Sequence, residues 1–531
     1  MPNSVRTSTS EKHKSLFVLI FLFIISIAAL VVYFPSRANL PYADAISRLN
    51  ISRKVVDNLN PGIAQLGSVW LPLPQLLMLP FIWNDFMWHS GLAGSIMSMT
   101  AFIVGGYCLY KSAYVISKSF LPSFFSLCIY ALNINVFYLQ TTAMSELLFV
   151  SLLSIVIYQF LMWVTTNQRR YLVFAGAAVS GITLIRYEGL ALLFSSILLV
   201  IIYTWYKEKS FKRVEGNLII YAVVACFGFA LWTLYLTAIF GDPLFWLKYY
   251  GFDPSTLTGP TATSAPPPQA KPFMAAVWQY FTSVTWMTGI IPMAYAILGL
   301  LIGIGVTIRK KIGITMVLLL PLSIFLLMVM TLRRNTPIVQ PDLNFNTISS
   351  TETSLGTGFN IRYGLMILPW LALLSIYLFN LKKPWYLPSI IFFALFSVQL
   401  VNHVYPSFTA IYEIPKRIYA KPDYEMVSWM KENHKEGEHI MISASGFEDQ
   451  MFAMGYPYET YIHEGAGKYW TEALDRPARY ADWVIVDFNR SSDWLGKELE
   501  NKQYWSWDYD MVWQQESVQI YKIKTKPDLQ I

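Results

Sequence analysis

The sequence predicts a mainly α-helical, polytopic membrane protein of about eleven transmembrane helices, with a small C-terminal extracytoplasmic α/β domain. Three observations predict it. The chain is 55% hydrophobic and only 14% charged, with a mean hydropathy of +0.41, where a soluble chain carries roughly 25% charged residues. Apolar runs long enough to cross about 30 Å of hydrocarbon recur along it. The last 110 or so residues differ in kind, being rich in charge and aromatic side chains.

The runs lie near residues 15–34, 90–110, 119–138, 143–164, 171–186, 189–206, 217–240, 285–308, 312–332, 363–380 and 385–403. With the amino terminus inside, the inner segments carry Arg6, Lys12, Lys14, Lys111, Lys118, Arg169, Arg170, Lys207, Lys209, Lys212, Arg213, Arg309, Lys310, Lys311, Lys382 and Lys383. Their acids are only Glu11, Glu208 and Glu215. This is a positive-inside pattern, and an odd number of spans puts the carboxyl terminus outside. The net charge of +7 therefore reflects topology and does not point to nucleic acid. The first run reads as an uncleaved signal-anchor, since it is longer than a signal-peptide core and Phe34-Pro35-Ser36-Arg37 is a poor cleavage site. Cys108, Cys128 and Cys226 all fall in apolar runs and give no disulfide framework. The expected organisation is a cytoplasmic tail (1–14), a transmembrane domain (15–405) and an outer domain (406–531).

The outer segments are then 35–89, 241–284, 333–362 and 404–531. In the first, Asp44 precedes a short amphipathic pattern. Ala45, Leu49, Val56 and Leu59 fall on one face, with Arg48, Arg53 and Lys54 mostly off it. Such a helix lies along a membrane surface and holds a carboxylate near the headgroups. Asp44 could equally serve as the helix N-cap. The run after Trp70-Leu71-Pro72-Leu73-Pro74 is too short to span and should re-enter or lie in the interface, with Trp83 and Trp88 as headgroup anchors. Pro254 to Pro272 has little packing capacity and reads as a mobile loop, either a linker or a gate. In the outer domain, strands are expected at His439–Ser443, Trp483–Asp487 and Val518–Ile523, and helices at Tyr424–His434 and Tyr469–Leu474. The aromatic cluster Tyr504 to Tyr509 suits core packing more than stacking on sugar rings. The sequons at Asn50 and Asn489 carry no weight without a known compartment.

Charges gather at the ends of the runs, on the same side as Asp44. Glu146 opens the fourth run, Arg186 and Glu188 share the turn between the fifth and sixth, Arg362 opens the tenth and His403 ends the eleventh. Lys248, Arg333 and Arg334 stand just outside. Charge next to a bilayer is expensive, and usually pairs or serves a function. Arg186 and Glu188 could simply pair with each other. As a layer, the set suits one chemistry. A carboxylate takes a proton from an attacking hydroxyl or amine, while guanidinium groups hold a phosphate bidentately as it leaves. A polyprenyl-phosphate sugar places a phosphate at that depth.

The chain resembles the GT-C superfamily of membrane glycosyltransferases, most closely family 39-type and ArnT-like enzymes that use lipid-phosphate sugars. The resemblance covers residues 15–405. It rests on Tyr42-Ala43-Asp44-Ala45, Leu71-Pro72-Leu73-Pro74, the Thr-rich turn ending in Glu146, Arg186-Tyr187-Glu188-Gly189, Gly241-Asp242-Pro243-Leu244 and Arg362-Tyr363-Gly364 leading to Pro369. It implies an inverting glycosyltransferase at the outer face of the cytoplasmic membrane, moving a hexose or pentose to a lipid, glycan or protein acceptor. Asp44 would be the base. Arg362 and Arg186 would hold the donor phosphate, with Glu146, Glu188, Lys248 and Tyr363 in the binding set. Some relatives need a divalent metal, for which Asp44, Glu146 and Glu188 are the available oxygen ligands. Protein O-mannosyltransferases carry an adjacent Asp-Glu pair where Asp44 is flanked by alanines, and a folded middle loop where this chain is short and Pro-rich. Two other classes of reading are a lipid-linked-sugar flippase and a non-catalytic scaffold. A flippase would tend to show internal repeats and charge at the midplane, and a scaffold would have no use for the charged layer.

Overall fold

The computed structural model describes residues 9–68, 70–246, 272–307, 312–333, 361–379, 386–401, 424–500 and 502–525. Lys248, Arg334, His403 and nearly all of the Pro254–Pro272 segment lie outside these residues. The chain forms two compact units. One comprises Met1–Asn39, Ser95–Ala238 and Ala265–Pro415; the other comprises Leu40–Gly94, Ile239–Ser264 and Lys416–Ile531.

The first unit is all helix among its described residues. Among the described residues, seven helices are long and apolar enough to cross a bilayer. The count is eight if Phe273–Thr288 and Ile290–Gly303, bent 116° from one another, form a single broken span. Large side chains such as Ile24, Val31, Phe194, Leu198 and Val223 stand exposed on these helices, as lipid-facing positions should. The protein is a multi-pass membrane protein.

Several expected runs are broken, two of them with a local cause. The run at 119–138 divides into Phe120–Ala131 and Ile134–Leu139, because the Asn133 side chain caps the second piece through the N–H groups of Asn135 and Val136. The run at 285–308 begins earlier, at Phe273, and turns sharply at Gly289, whose φ of 93° is open to glycine. The Asn133 and Asn135 amides both donate to the Met287 carbonyl at 2.9 Å, satisfying the end of the first piece. The run at 363–380 opens as a 3-10 turn, Ile361–Ile367, before Leu368–Leu374.

In the second unit, β1 (Ile440–Ile442), β2 (Tyr461–Ile462), β3 (Trp483–Asp487), β4 (Tyr509–Gln515) and β5 (Val518–Ile523) form one sheet in the order β2-β1-β3-β5-β4. β1 runs parallel to β2 and β3; β5 is antiparallel to β3 and β4. The three expected strands and the helices Tyr424–Asn433 and Lys468–Asp475 fall where the sequence places them. β2 and β4 were not anticipated. Met441, Val484, Val486, Leu495, Leu499, Trp505 and Tyr509 fill the core. Within the aromatic cluster, Trp505 and Tyr509 are thus core, while Tyr504 and Trp507 are exposed.

The same unit holds the short helices Ala43–Val56, Leu73–Ile82 and Asp85–His89. Leu73–Ile82 has only 10 residues, as expected of a run too short to span. The amphipathic pattern read into the first of these helices is corrected. Ala45 and Leu49 are buried, but Val56 is exposed, and Arg48 and Arg53 are buried. Arg48 lies over the Trp70 ring at 4.4 Å, and Arg53 has a set of dedicated partners. Arg53 Nε bonds Asp57 at 2.6 Å, Nη1 donates to the carbonyls of Ile82 and Trp83, and Nη2 meets Asp85 at 2.7 Å. A guanidinium with every direction answered can be buried. Trp88 is also corrected. It is fully buried, donates to Asn50 Oδ1 at 3.1 Å and stacks under Arg53. It is not a headgroup anchor; Trp83, by contrast, is exposed.

Candidate active site

Four of the sequence-nominated charges meet in the first unit. Glu146 is the first residue of the Glu146–Thr166 helix and is 1% exposed. The turn before it is fixed by buried hydroxyls: Ser95 donates to the Thr141 carbonyl and Ser98 to that of Thr142. Arg186 and Glu188 occupy the turn between the Arg170–Thr183 and Gly189–Glu208 helices. Arg362 and Tyr363 lie on the 3-10 turn. Gly364 allows that turn to reach this place: a Cβ on it would stand 2.5 Å from the Ser283 carbonyl oxygen.

Glu146 Oε1 is shared by two guanidiniums. Arg362 Nη1 is 3.4 Å away and Arg186 Nη1 is 3.8 Å away. Arg186 also forks onto Glu188, with Nη2 to Oε1 at 3.0 Å and Nε to Oε2 at 3.3 Å. Its guanidinium lies 4.3 Å from the Tyr363 ring centroid, a favourable cation–π arrangement. Burial works against the Arg186 charge, but Glu188, Tyr363 and Glu146 outweigh it and hold its pKa well above the ordinary arginine value. Two arginines and two glutamates so placed are close to neutral together, which is what allows Arg362, 1% exposed, to be buried.

Sequence reasoning missed two members of this cluster. Met144 Sδ lies 3.4 Å from Arg362 Nη1. The Tyr280 hydroxyl donates to the Tyr363 carbonyl at 3.2 Å and tethers the 3-10 turn to the Phe273–Thr288 helix. Neither carries a charge, and nothing in the sequence marks either. Arg333 is exposed at the end of the Leu322–Arg333 helix.

Asp44 belongs to the second unit. It is half-buried in the first turn of the Ala43–Val56 helix. The N-cap is Tyr42, which makes no side-chain capping bond, so the reading of Asp44 as the cap is set aside. A carboxylate in the first turn still benefits from the helix dipole. No three His, Cys, Asp or Glu side chains gather as a cation site among the described residues. Glu146 and Glu188 are both ion-paired to Arg186, so the proposed oxygen ligands do not form a donor set there, and no step is derived through a metal.

Fold and cluster define the class: a multi-pass membrane protein with a buried Arg/Glu cluster at the ends of several helices, joined in sequence to a five-stranded α/β unit. No protein-family model and no curated protein sequence matches the chain. Solved structures do. The crystal structure of ArnT from Cupriavidus metallidurans bound to undecaprenyl phosphate aligns with a TM-score of 0.56 and 12% identity, over 94% of this chain and 97% of that one. Its apo state gives 0.55, also at 12% identity, over the same shares. The chain shares its overall fold with these ArnT structures.

Proposed function

We propose that this protein is an inverting glycosyltransferase that moves a hexose or pentose from a polyprenyl-phosphate donor to a lipid, glycan or protein acceptor. The reaction takes place at the outer face of the cytoplasmic membrane, with the amino terminus inside and the α/β unit outside. The observation that carries the reading is the convergence of Arg186 and Arg362 on one buried carboxylate oxygen. It occurs in a fold whose solved neighbour binds a polyprenyl phosphate.

In this reading Asp44 removes the proton from the acceptor hydroxyl or amine as it attacks the anomeric carbon. The new bond forms on the face opposite the phosphate, the bond from carbon to phosphate oxygen breaks, and the lipid phosphate leaves with the electron pair. Its charge grows from one toward two negatives during the step. Guanidiniums aimed at that oxygen stabilise the late state more than the early one, which is the condition for catalysis. Tyr363 and Glu188 orient Arg186, Glu146 balances the pair, and Lys248 is a further cation of the binding set.

The reaction class is tested by mass spectrometry of lipid-linked sugars and envelope glycans in cells with and without the gene. A lipid-linked sugar should accumulate, and one glycan or lipid modification should disappear, in the deletion. Identical profiles would refute the reading. Asp44→Asn should insert normally yet fail to complement the deletion. Arg362→Ala should raise the KM for donor far more than that for acceptor.

A further inference from the structure

The helix that carries Asp44 is fastened to the α/β part of its own unit. At its far end, Asp57 accepts from the N–H groups of Tyr458 at 3.1 Å and Glu459 at 3.3 Å. Just beyond, the Asn58 side chain donates to the Gly465 carbonyl, and its Oδ1 lies 3.3 Å from His463 Nε2. Near its start there is a different contact. The Ser47 hydroxyl donates to Glu448 Oε2 at 2.5 Å. Ser47 is three residues after Asp44, so the two share a helix face about one turn apart.

Glu448 directly follows a break in its own helix. Ala444–Met454 is interrupted at Phe447, whose φ of −134° and ψ of 25° are not helical. Arg490 supports the break: its Nη1 donates to the Gly446 carbonyl at 2.6 Å and its guanidinium lies over the Phe447 ring at 4.6 Å. Arg490 is itself held by Asp487, the last residue of β3, at 3.2 Å. A continuous set of contacts thus runs from the end of the central strand, through a kink, to the first turns of the Asp44 helix.

We propose that Glu448 is a positioning residue: through Ser47 it sets the rotation of the Ala43–Val56 helix and hence the direction of the Asp44 carboxylate. Orienting the base is then what the C-terminal sheet contributes to transfer. The inference rests on the reading of Asp44 as the base. It draws its force from geometry, because a catalytic group displaced by about 1 Å can lose about a hundredfold in rate.

The test uses the full-length protein in detergent micelles and four variants: Glu448→Ala, Glu448→Gln, Ser47→Ala and Asp44→Asn. Amide hydrogen exchange is followed in a peptide spanning residues 43–56 and, as a control for folding, in one spanning 483–487. In Glu448→Ala and Ser47→Ala, exchange in the first peptide should accelerate about tenfold while the control is unchanged. Glu448→Gln keeps an acceptor for Ser47 and should stay within about twofold of wild type. If Glu448→Ala fails to fold, Ser47→Ala, on the other side of the same bond, decides the matter. With an undecaprenyl-phosphate-linked sugar that the wild type turns over, kcat should fall about tenfold in both alanine variants. The donor KM should hold, and Glu448→Gln should recover the rate. Unchanged exchange in both alanine variants would overturn the proposal, as would accelerated exchange with an unchanged kcat. Full activity in Asp44→Asn would overturn the base assignment instead, and the exchange measurements would still say whether Glu448 holds the helix.

Discussion

Gly364→Ala is the smallest change that should disturb the candidate site without touching a charge. The added Cβ would stand 2.5 Å from the Ser283 oxygen, 2.7 Å from the Ser283 carbonyl carbon and 2.8 Å from the Val284 nitrogen. All three are backbone atoms, so no side chain can rotate away. Ordinary contact begins near 3.4 Å, so the 3-10 turn and the Phe273–Thr288 helix must part by roughly 0.9 Å. Overpacking of this kind costs about 1–3 kcal/mol. The same displacement carries Arg362 and Tyr363, which flank the glycine two residues and one residue before it. The Arg362–Glu146 approach of 3.4 Å would be disturbed with it. Donor KM should rise and kcat fall together, by about tenfold to a hundredfold. Stability is read from unfolding in mixed micelles of increasing SDS fraction, and kinetics from transfer to the native acceptor. A Gly364→Ala protein with wild-type stability and wild-type kinetics would show that the close approach of these two elements does not hold Arg362 in place.

Other consequences follow from the same contacts. Glu146→Gln keeps the shape but removes the charge between two guanidiniums; at an effective dielectric of about 20 the two attractions are about 5 and 4 kcal/mol gross. After allowing for the easier burial of a neutral side chain, the loss should be about 3 kcal/mol in the SDS titration. A change under about 0.5 kcal/mol would mean that the cluster is not coupled through this residue. Arg53→Lys cannot reproduce the bonds to Asp57, Asp85 and the Ile82 and Trp83 carbonyls at once, and should cost about 2–3 kcal/mol despite keeping the charge; an unaltered denaturation curve would contradict this. Burial raises the Asp493 carboxyl to about 6, against the opposing N–H bonds from Gly496 and Asp487. Its ordinary value is 3.8, so the folded form binds the proton more tightly. This part of the stability is present in full below about pH 4 and is lost as pH rises through 6, by up to about 3 kcal/mol. In Asp493→Asn that pH dependence should vanish, whatever the variant's absolute stability; urea titrations from pH 4 to 7, followed by tryptophan fluorescence, check it.

Much of this arrangement is legible in the sequence, for reasons that can be named. The strand at Trp483–Asp487 opens with four apolar residues and is buried throughout, and such a run has few alternatives between turn signals. Glu146, Arg186, Glu188 and Arg362 stand out because a charge beside an apolar run is expensive wherever it points. The misses have a common origin. Hydropathy records how apolar a stretch is, not whether its backbone is continuous. It therefore passes over the cap at Asn133 and the turn at Gly289. It also assigns a tryptophan near a membrane to the headgroups, although Trp88 finds Asn50 and Arg53 inside the protein. Arg53 reads as lying off the buried face because, besides Asp57 four residues on, its partners are Asp85 and the carbonyls of Ile82 and Trp83, remote in sequence; Arg48 likewise packs on the distant Trp70 ring. Tyr509–Gln515 escaped notice because its first residue belongs to an aromatic cluster that carries no strand alternation and its remainder, Asp510 to Gln515, is largely exposed; its pairing with β5 is irregular at Met511 and Trp513.

The two arginines of the cluster are not held alike, and the difference bears on how they would serve a phosphate. Arg186 is forked onto Glu188 at 3.0 and 3.3 Å and stacked on Tyr363; its plane is fixed from two sides. Arg362 meets Glu146 at 3.4 Å, longer than the roughly 2.7–2.9 Å of a charge-assisted hydrogen bond. Glu146 therefore answers Arg362 across a longer gap than Glu188 spans to Arg186. Removing Arg186 takes a counter-charge from both Glu188 and Glu146, whereas removing Arg362 leaves Glu146 with Arg186 still 3.8 Å away. Breaking a buried pair from one side leaves an uncompensated charge, so Arg186→Ala should cost more stability than Arg362→Ala in the SDS titration. On the proposed reading, the effect of Arg362→Ala should fall chiefly on donor KM.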